Sequence, residues 1–138
     1  LHPILEENIN EFSKNFNEKT ISVHIRSWNR NNESKRSRLY DLNKYIDIMN
    51  KYPTNNFYLS SDSQNVLNEL KEIYKERIYI YPRKTSLDNS RDFPEGIQED
   101  LIELYLLSKN KIIIGSHFST FTEVAWWLAE CPKDIIII

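Results

Sequence analysis

The sequence predicts the α/β class: a doubly wound parallel sheet of about five strands with helices on both faces. Two observations carry this. Strand-like runs and segments of helical periodicity alternate along all 138 residues, the signature of repeated β-α-β units. The run Lys111-Ile-Ile-Ile-Gly115 is apolar on both faces, as expected at the centre of a parallel sheet covered by helices. The length suits one domain with a real core rather than two, and no internal repeat or low-complexity linker divides it.

Leu5, Ile9, Phe12 and Phe16 mark one face of an opening helix, roughly residues 4 to 17. The first strand, about residues 20 to 26, is Thr20-Ile-Ser-Val-His-Ile-Arg26, followed by a long polar loop. Leu39, Leu42, Ile46 and Met49 then recur at helical spacing, and Asn56-Phe-Tyr-Leu-Ser-Ser61 reads as the second strand. Val66, Leu67, Leu70, Ile73 and Tyr74 form the next helix face, and Arg77-Ile-Tyr-Ile-Tyr81 the third strand, closed by Pro82. A second long loop reaches Pro94, which suits the first turn of a helix carrying Ile97, Leu101, Leu104, Tyr105 and Leu107. After the fourth strand, Phe121, Val124, Ala125 and Leu128 mark the last helix, and residues 134–138 the last strand. Right-handed crossovers make 3-2-1-4-5 the simplest strand order. Winding then reverses between the first and fourth strands, and ligands are expected in the crevice outside their carboxyl ends.

Two sequence signals converge on that crevice. Alternation puts Ser22, His24 and Arg26 on one face of the first strand and Ile21, Val23 and Ile25 on the other. A charged Arg26 ending an apolar strand is costly to bury without an anion, which reads as a phosphate or diphosphate clamp. The fourth strand ends in Gly115-Ser-His-Phe-Ser-Thr120. There Gly115 permits close backbone approach, and Ser116, Ser119 and Thr120 offer hydroxyls where the last helix begins. A helix N-terminus carries unpaired N–H groups and attracts anions. The same segment also fits simple capping, since Thr120-Phe-Thr-Glu123 has the pattern of a capping box.

Other residues leave alternatives open. Asp62 or Ser61 reads as an N-cap after the second strand. Glu103, inside Leu101-Ile-Glu-Leu-Tyr-Leu-Leu107, either turns to solvent or meets a donor-rich ligand such as guanine. His24 fits a buried, hydrogen-bonded histidine as well as a ligand contact. Trp28, Trp126 and Trp127 suit packing or domain contact, with stacking on a base or sugar as the alternative. Arg30, Lys35, Arg36 and Arg38 crowd the loop after Arg26, which suits a solvated basic surface.

The bulk numbers exclude several classes. With 18 Lys and Arg against 20 Asp and Glu, the net charge of -2 gives no reason to expect nucleic acid. The single Cys131 excludes an internal disulfide. His2, His24 and His117 are not spaced as metal ligands, so no structural metal is expected. The chain has two glycines, Gly96 and Gly115, and neither a P-loop nor a dinucleotide fingerprint. It contains no nucleophile elbow. No signal peptide is visible, and the final Ile135–Ile138 run is too short to span a bilayer. The expectation is a soluble protein without a membrane segment, cytoplasmic in preference to exported. Its start at Leu1 suggests a piece of something longer.

Three blocks, Val23-His-Ile-Arg26, Phe57-Tyr-Leu-Ser-Ser-Asp62 and Leu104-Tyr-Leu-Leu-Ser-Lys-Asn-Lys-Ile-Ile-Ile-Gly-Ser-His-Phe-Ser-Thr120, together resemble the nucleotide-binding half of GDP-fucose-dependent fucosyltransferases. The α1,6-fucosyltransferases, with the nodulation enzymes, are nearest, and protein O-fucosyltransferases further off. The resemblance covers about residues 20 to 130. It implies the Rossmann-like donor half of a two-domain GT-B enzyme, which binds a GDP-sugar, takes no metal or other cofactor, and meets a glycan or protein acceptor through an N-terminal half missing here. By resemblance His24 helps hold the nucleotide, and Arg26 contacts the diphosphate and stabilises the leaving GDP. Ser116, Ser119 and Thr120 become phosphate ligands, Glu103 the guanine reader where Asp is usual, and Asp62 a residue near the nucleoside. The chemistry implied is inverting transfer, in which a carboxylate deprotonates the acceptor hydroxyl while Arg26 and the helix N-terminus stabilise charge on the leaving group. Glu33 is the one base candidate. The chain departs from the family at Ser27, where the α1,6 enzymes carry a second Arg. A non-catalytic nucleotide- or phosphosugar-binding module and a flavodoxin-like interaction domain are the competing expectations.

Overall fold

The structure is a computed structural model, and it describes residues 1–27, 40–87, 90–116, 119–129 and 134–138. Five parallel strands, β1 (Thr20–Ile25), β2 (Asn56–Ser61), β3 (Ile78–Tyr79), β4 (Ile112–Gly115) and β5 (Asp134–Ile137), stand in the order β3-β2-β1-β4-β5. This is the predicted order, and it places the reversal of winding between β1 and β4. The helices are α1 (Pro3–Ser13), α2 (Leu42–Met49), α3 (Gln64–Tyr74), α4 (Pro94–Leu107) and α5 (Thr120–Leu128).

Strand alternation splits the core into two layers. Ile21, Val23 and Ile25 of β1 join Phe57, Leu59 and Ile114 under α2 and α3. Tyr58 and Ile113, which face the other way, pack with Ile9, Ile102, Leu106 and Ala125 from α1, α4 and α5. All six residues of β1 are buried, so burial of each large apolar side chain there contributes about 1.5–3 kcal/mol. Ser22 is accommodated on the α4 side by donating to the Leu107 carbonyl (2.8 Å) and accepting from Asn110 (3.0 Å).

Several element boundaries and faces differ from expectation. The opening helix stops at Ser13 because Asn15 and Asn17 hydrogen-bond nearby backbone instead of extending the ladder. β3 pairs over two residues only. A short 3-10 turn, Lys75–Arg77, precedes it, and the Arg77 guanidinium holds the Tyr52 and Asn55 carbonyls. Ile73, Ile97 and Val124, expected on core faces, are exposed. In α4 the buried positions are Gly96, Glu99, Ile102, Glu103, Leu106 and Leu107, about one position round from the expected stripe. No helix among the described residues is long and apolar enough to cross a membrane.

Candidate functional site

His24 in β1 and Arg26, the residue just past it, meet the turn after β4 at the carboxyl edge of the sheet. Ser116 is the joint. Its Oγ accepts from the Arg26 backbone N–H (2.6 Å) and donates to the His24 carbonyl (3.0 Å). The Tyr45 hydroxyl from α2 is 2.6 Å away, and because Ser116 has already used its one proton, Tyr45 is the donor. The Ser116 hydroxyl is therefore buried with its hydrogen-bonding capacity filled, and it pins β1, β4 and α2 together.

His24 is locked from the other side. Its Nδ1 lies 2.8 Å from Thr122 Oγ1 and 3.4 Å from Ser119 Oγ, both at the start of α5, and its ring lies against Phe121. Burial lowers its pKa from 6.5 to about 4, with the Asp62 charge opposing and Arg26 assisting. The imidazole is therefore neutral at neutral pH. Thr122 also accepts from the Ser116 N–H (3.3 Å). It reaches both partners only because residue 115 is glycine: a Cβ there would stand 2.0 Å from Thr122 Cγ2. The N-cap of α5 is Ser119, whose Oγ accepts from the Thr122 N–H. The capping-box pattern on Thr120 is thus displaced by one residue. Thr120 is the exposed first residue of the helix, and with Ser119 it lines a cavity of about 550 Å³ whose far wall includes Trp126, Ile135 and Ile137.

Asp62 is not a helix cap, and neither is Ser61. Ser63 caps α3, and Asp62 turns to β1. Its Oδ1 accepts from the Ser27 N–H and Oγ at 2.8 Å each, while Oδ2 stands 3.4 Å from Arg26 Nη1. Both side chains are nearly buried, at 11% and 4% exposure. A carboxylate of this chain thus already serves as an anionic partner of Arg26. Ser27, the departure from the resembling family, is buried and bonded to that carboxylate.

Glu103 lies apart from this cluster. It is buried and accepts from Arg83, in the segment after β3, so it neither faces solvent nor stands alone. Burial outweighs the Arg83 charge and raises its carboxyl pKa to about 7. Arg83 also donates to Asp100 (2.7 Å). Burial alone would raise Glu99 too, but donors from Thr85 and the Lys84 and Thr85 backbone hold it below the ordinary value. Glu103 and Arg83 line a second cavity, of about 350 Å³, with Leu67, Ile80, Tyr81 and Leu87.

The structure thus brings His24, Arg26, Asp62, Ser116 and Ser119 together, sets Thr120 at their edge and puts Glu103 in a separate cavity. Glu33, Trp28 and the basic residues Arg30 to Arg38 lie outside the described residues, as do His117 and Cys131. Among the described residues no group of three or more His, Cys, Asp or Glu side chains is arranged to hold a metal ion. Of the other tryptophans, Trp126 packs on the core edge and Trp127 is exposed. Sequence reasoning missed Tyr45, Thr122 and Arg83. Thr122 stood inside the recognised capping pattern, whereas Tyr45 and Arg83 carried no local signal.

No family model matches the sequence, and no curated protein matches it. Solved structures do. The chain is similar to the NodZ alpha-1,6-fucosyltransferase co-crystallized with GDP, with a TM-score of 0.68 at 21% identity over 93% of this chain and 42% of that one. A structure of fucosyltransferase NodZ from Bradyrhizobium gives 0.68 at 22% identity, with the same 93% and 42% coverage. POFUT1 in complex with GDP-fucose gives 0.63 at 12% identity, over 99% of this chain and 46% of that one. The chain spans less than half the length of these structures. Its five-stranded parallel sheet, with helices on both faces, has the fold of one portion of these fucosyltransferases.

Proposed function

We propose that this chain is the donor-binding half of a GT-B glycosyltransferase and binds a GDP-sugar, GDP-fucose first among them, for inverting fucosyl transfer. The observation that carries the reading is that Arg26, just past β1, bonds through its backbone N–H to Ser116 after β4, while neighbouring His24 reaches the α5 N-terminus, all at the switch point of the sheet. It occurs in a fold matched over nearly the whole chain by structures described with GDP and GDP-fucose. In this reading Arg26 and the first turn of α5, with Ser119 and Thr120, take the diphosphate. Neutral His24 holds the nucleotide, and Asp62 keeps the Arg26 guanidinium in place until phosphate oxygens join it. Ser116 shapes the site and is not itself a phosphate ligand, because its hydroxyl is already engaged. Glu103 reads the base from the second cavity. Charge on the departing diphosphate is stabilised by Arg26 and the helix terminus without a metal or other cofactor. Glu33 is the base candidate for the acceptor hydroxyl, and the acceptor, glycan or protein, binds a further N-terminal half of a longer protein.

Isothermal titration of the chain with GDP, ADP and UDP tests this. GDP-selective binding is expected, weakened about 100-fold by Arg26→Ala, the scale of a lost charge-assisted contact. A folded wild-type chain that binds no nucleotide, or binds all three alike through Arg26-independent contacts, overturns the reading.

A further inference from the structure

Arg83 is held as few surface arginines are. Its side chain is 8% exposed, Nη1 donates to Asp100 and Glu103, and Nη2 reaches Thr85 Oγ1 (3.3 Å) and the Gly96 carbonyl (3.4 Å). Its Nε–H is buried without a hydrogen-bond partner. Leaving a buried donor unpaired costs about 1–3 kcal/mol, so a position that keeps one invites a functional explanation.

The acids around it are not equivalent. Glu99 is saturated by Lys84 N, Thr85 N and Thr85 Oγ1, which tethers the segment after β3 to α4. Asp100 receives both Arg83 and Ser90. Glu103, by contrast, accepts on Oε2 only among the described residues. The cavity lined by Leu67, Ile80 and Leu87 thus also has in its lining Glu103, with one carboxylate oxygen unused among the described residues, and Arg83, whose buried Nε–H is unpaired. The apolar side chains suit a flat ring, and the polar pair suits a ring edge with a carbonyl beside N–H donors. Guanine has that edge: O6 accepts, and N1–H and N2–H donate. Adenine reverses it, presenting N6–H donors to Arg83 and the N1 lone pair to Glu103.

We propose that Arg83 is a second base-reading residue, donating from Nε to the guanine O6 while Glu103 accepts from N1–H and N2–H. This rests on the reading above that Glu103 meets the base. Without nucleotide the two side chains satisfy each other in part, so neither charge is left bare in the empty cavity.

The test is titration of the chain with GDP, 6-thio-GDP and ADP, for the wild type and Arg83→Lys. The lysine keeps a positive charge for Glu103 and Asp100 but has no Nε–H at the same place. Arg83→Lys is expected to bind GDP about 10-fold more weakly and to bring the GDP-to-ADP ratio close to one, within the discrimination of one good side chain–base contact. That ratio is insensitive to the fraction of variant that folds. A variant that retains the wild-type ratio overturns the proposal and leaves Arg83 a structural anchor. If the lysine variant fails to fold, the wild type decides alone: 6-thio-GDP keeps both N–H donors and replaces O6 by a weak acceptor, so binding about 10-fold weaker than GDP is expected, and equal binding overturns the assignment. Wild-type binding that depends on Arg26 but does not distinguish GDP from ADP also overturns it, while sparing the phosphate site. Absence of all nucleotide binding overturns this proposal and the donor-domain reading together.

Discussion

The two polar clusters at the carboxyl edge of the sheet are built on opposite terms. Around Ser116 the groups are neutral hydroxyls and a neutral imidazole. Ser116 has every hydrogen-bonding position filled, and the surroundings are rigid enough that Gly115 cannot gain a methyl group. Around Arg83 the groups are titratable acids and a guanidinium, with Asp100 and Glu103 holding Arg83 while its Nε–H stays unpaired. A complete neutral network fixes geometry. An incomplete one around an arginine is poised to exchange partners. In the reading proposed above the first would frame an anion site and the second read a base, and the Arg26–Asp62 pair adjoins the first through the Arg26 N–H.

Substitutions that open the frame should therefore cost more than those in the reader. Asp62→Ala is expected to have the largest effect, about 3–5 kcal/mol, because it removes the carboxylate partner of a nearly buried Arg26 and of both Ser27 donors. Denaturant unfolding measures it, and a loss below about 1 kcal/mol would mean that Asp62 is not a structural part of the frame. Ser116→Ala follows at about 2–3 kcal/mol, since the Arg26 N–H and the Tyr45 hydroxyl both lose their acceptor. Tyr45→Phe is expected to cost about 1 kcal/mol, and less in the Ser116→Ala background. Additive losses in that double-mutant cycle would show that the two hydroxyls do not act as one unit.

How far these clusters were legible in the sequence follows the same division. The strands, their order and the crevice between β1 and β4 were readable because β-branched runs and alternation set them locally. Arg26 and the serine turn were readable because strand ends at a switch point have a fixed place in such a sheet. The caps were misplaced by a residue or more wherever competent residues stand in a row. In Ser60-Ser-Asp-Ser63 any of the last three could cap, and the choice is made by Ser27 and Arg26, 35 or so positions away in the chain. The buried face of α4 was misjudged because Leu101, Ile102, Leu104, Tyr105, Leu106 and Leu107 make the helix apolar nearly all round. It packs against both the sheet and α1, so periodicity has little contrast. Arg83 was invisible because its partners lie 17 and 20 positions on, across a segment that reads only as loop.

The contrast between the clusters has its finest expression in pH. His24 has a folded-state pKa lowered from 6.5 to about 4 by burial. Its contribution to stability is therefore present above pH 6.5 and lost as pH falls towards 4, when the unfolded chain binds a proton that the folded one refuses. Glu103 is shifted the other way by burial, from 4.5 to about 7. Its contribution is full below pH 4.5 and lost as pH rises towards 7. Between pH 5 and 6.5 the two slopes oppose each other, and the wild type should show stability nearly independent of pH there. His24→Gln removes the rising component and should leave stability that falls with pH by about 1 kcal/mol per unit, the scale of one proton of linkage. Glu103→Gln removes the falling component, so stability should rise with pH at a similar rate. Urea unfolding at half-unit intervals reads both slopes, and slopes are unaffected by whatever each substitution costs at a single pH. Parallel profiles for the two variants would mean that burial does not shift His24 and Glu103 in opposite directions, and the distinction between the clusters would fall.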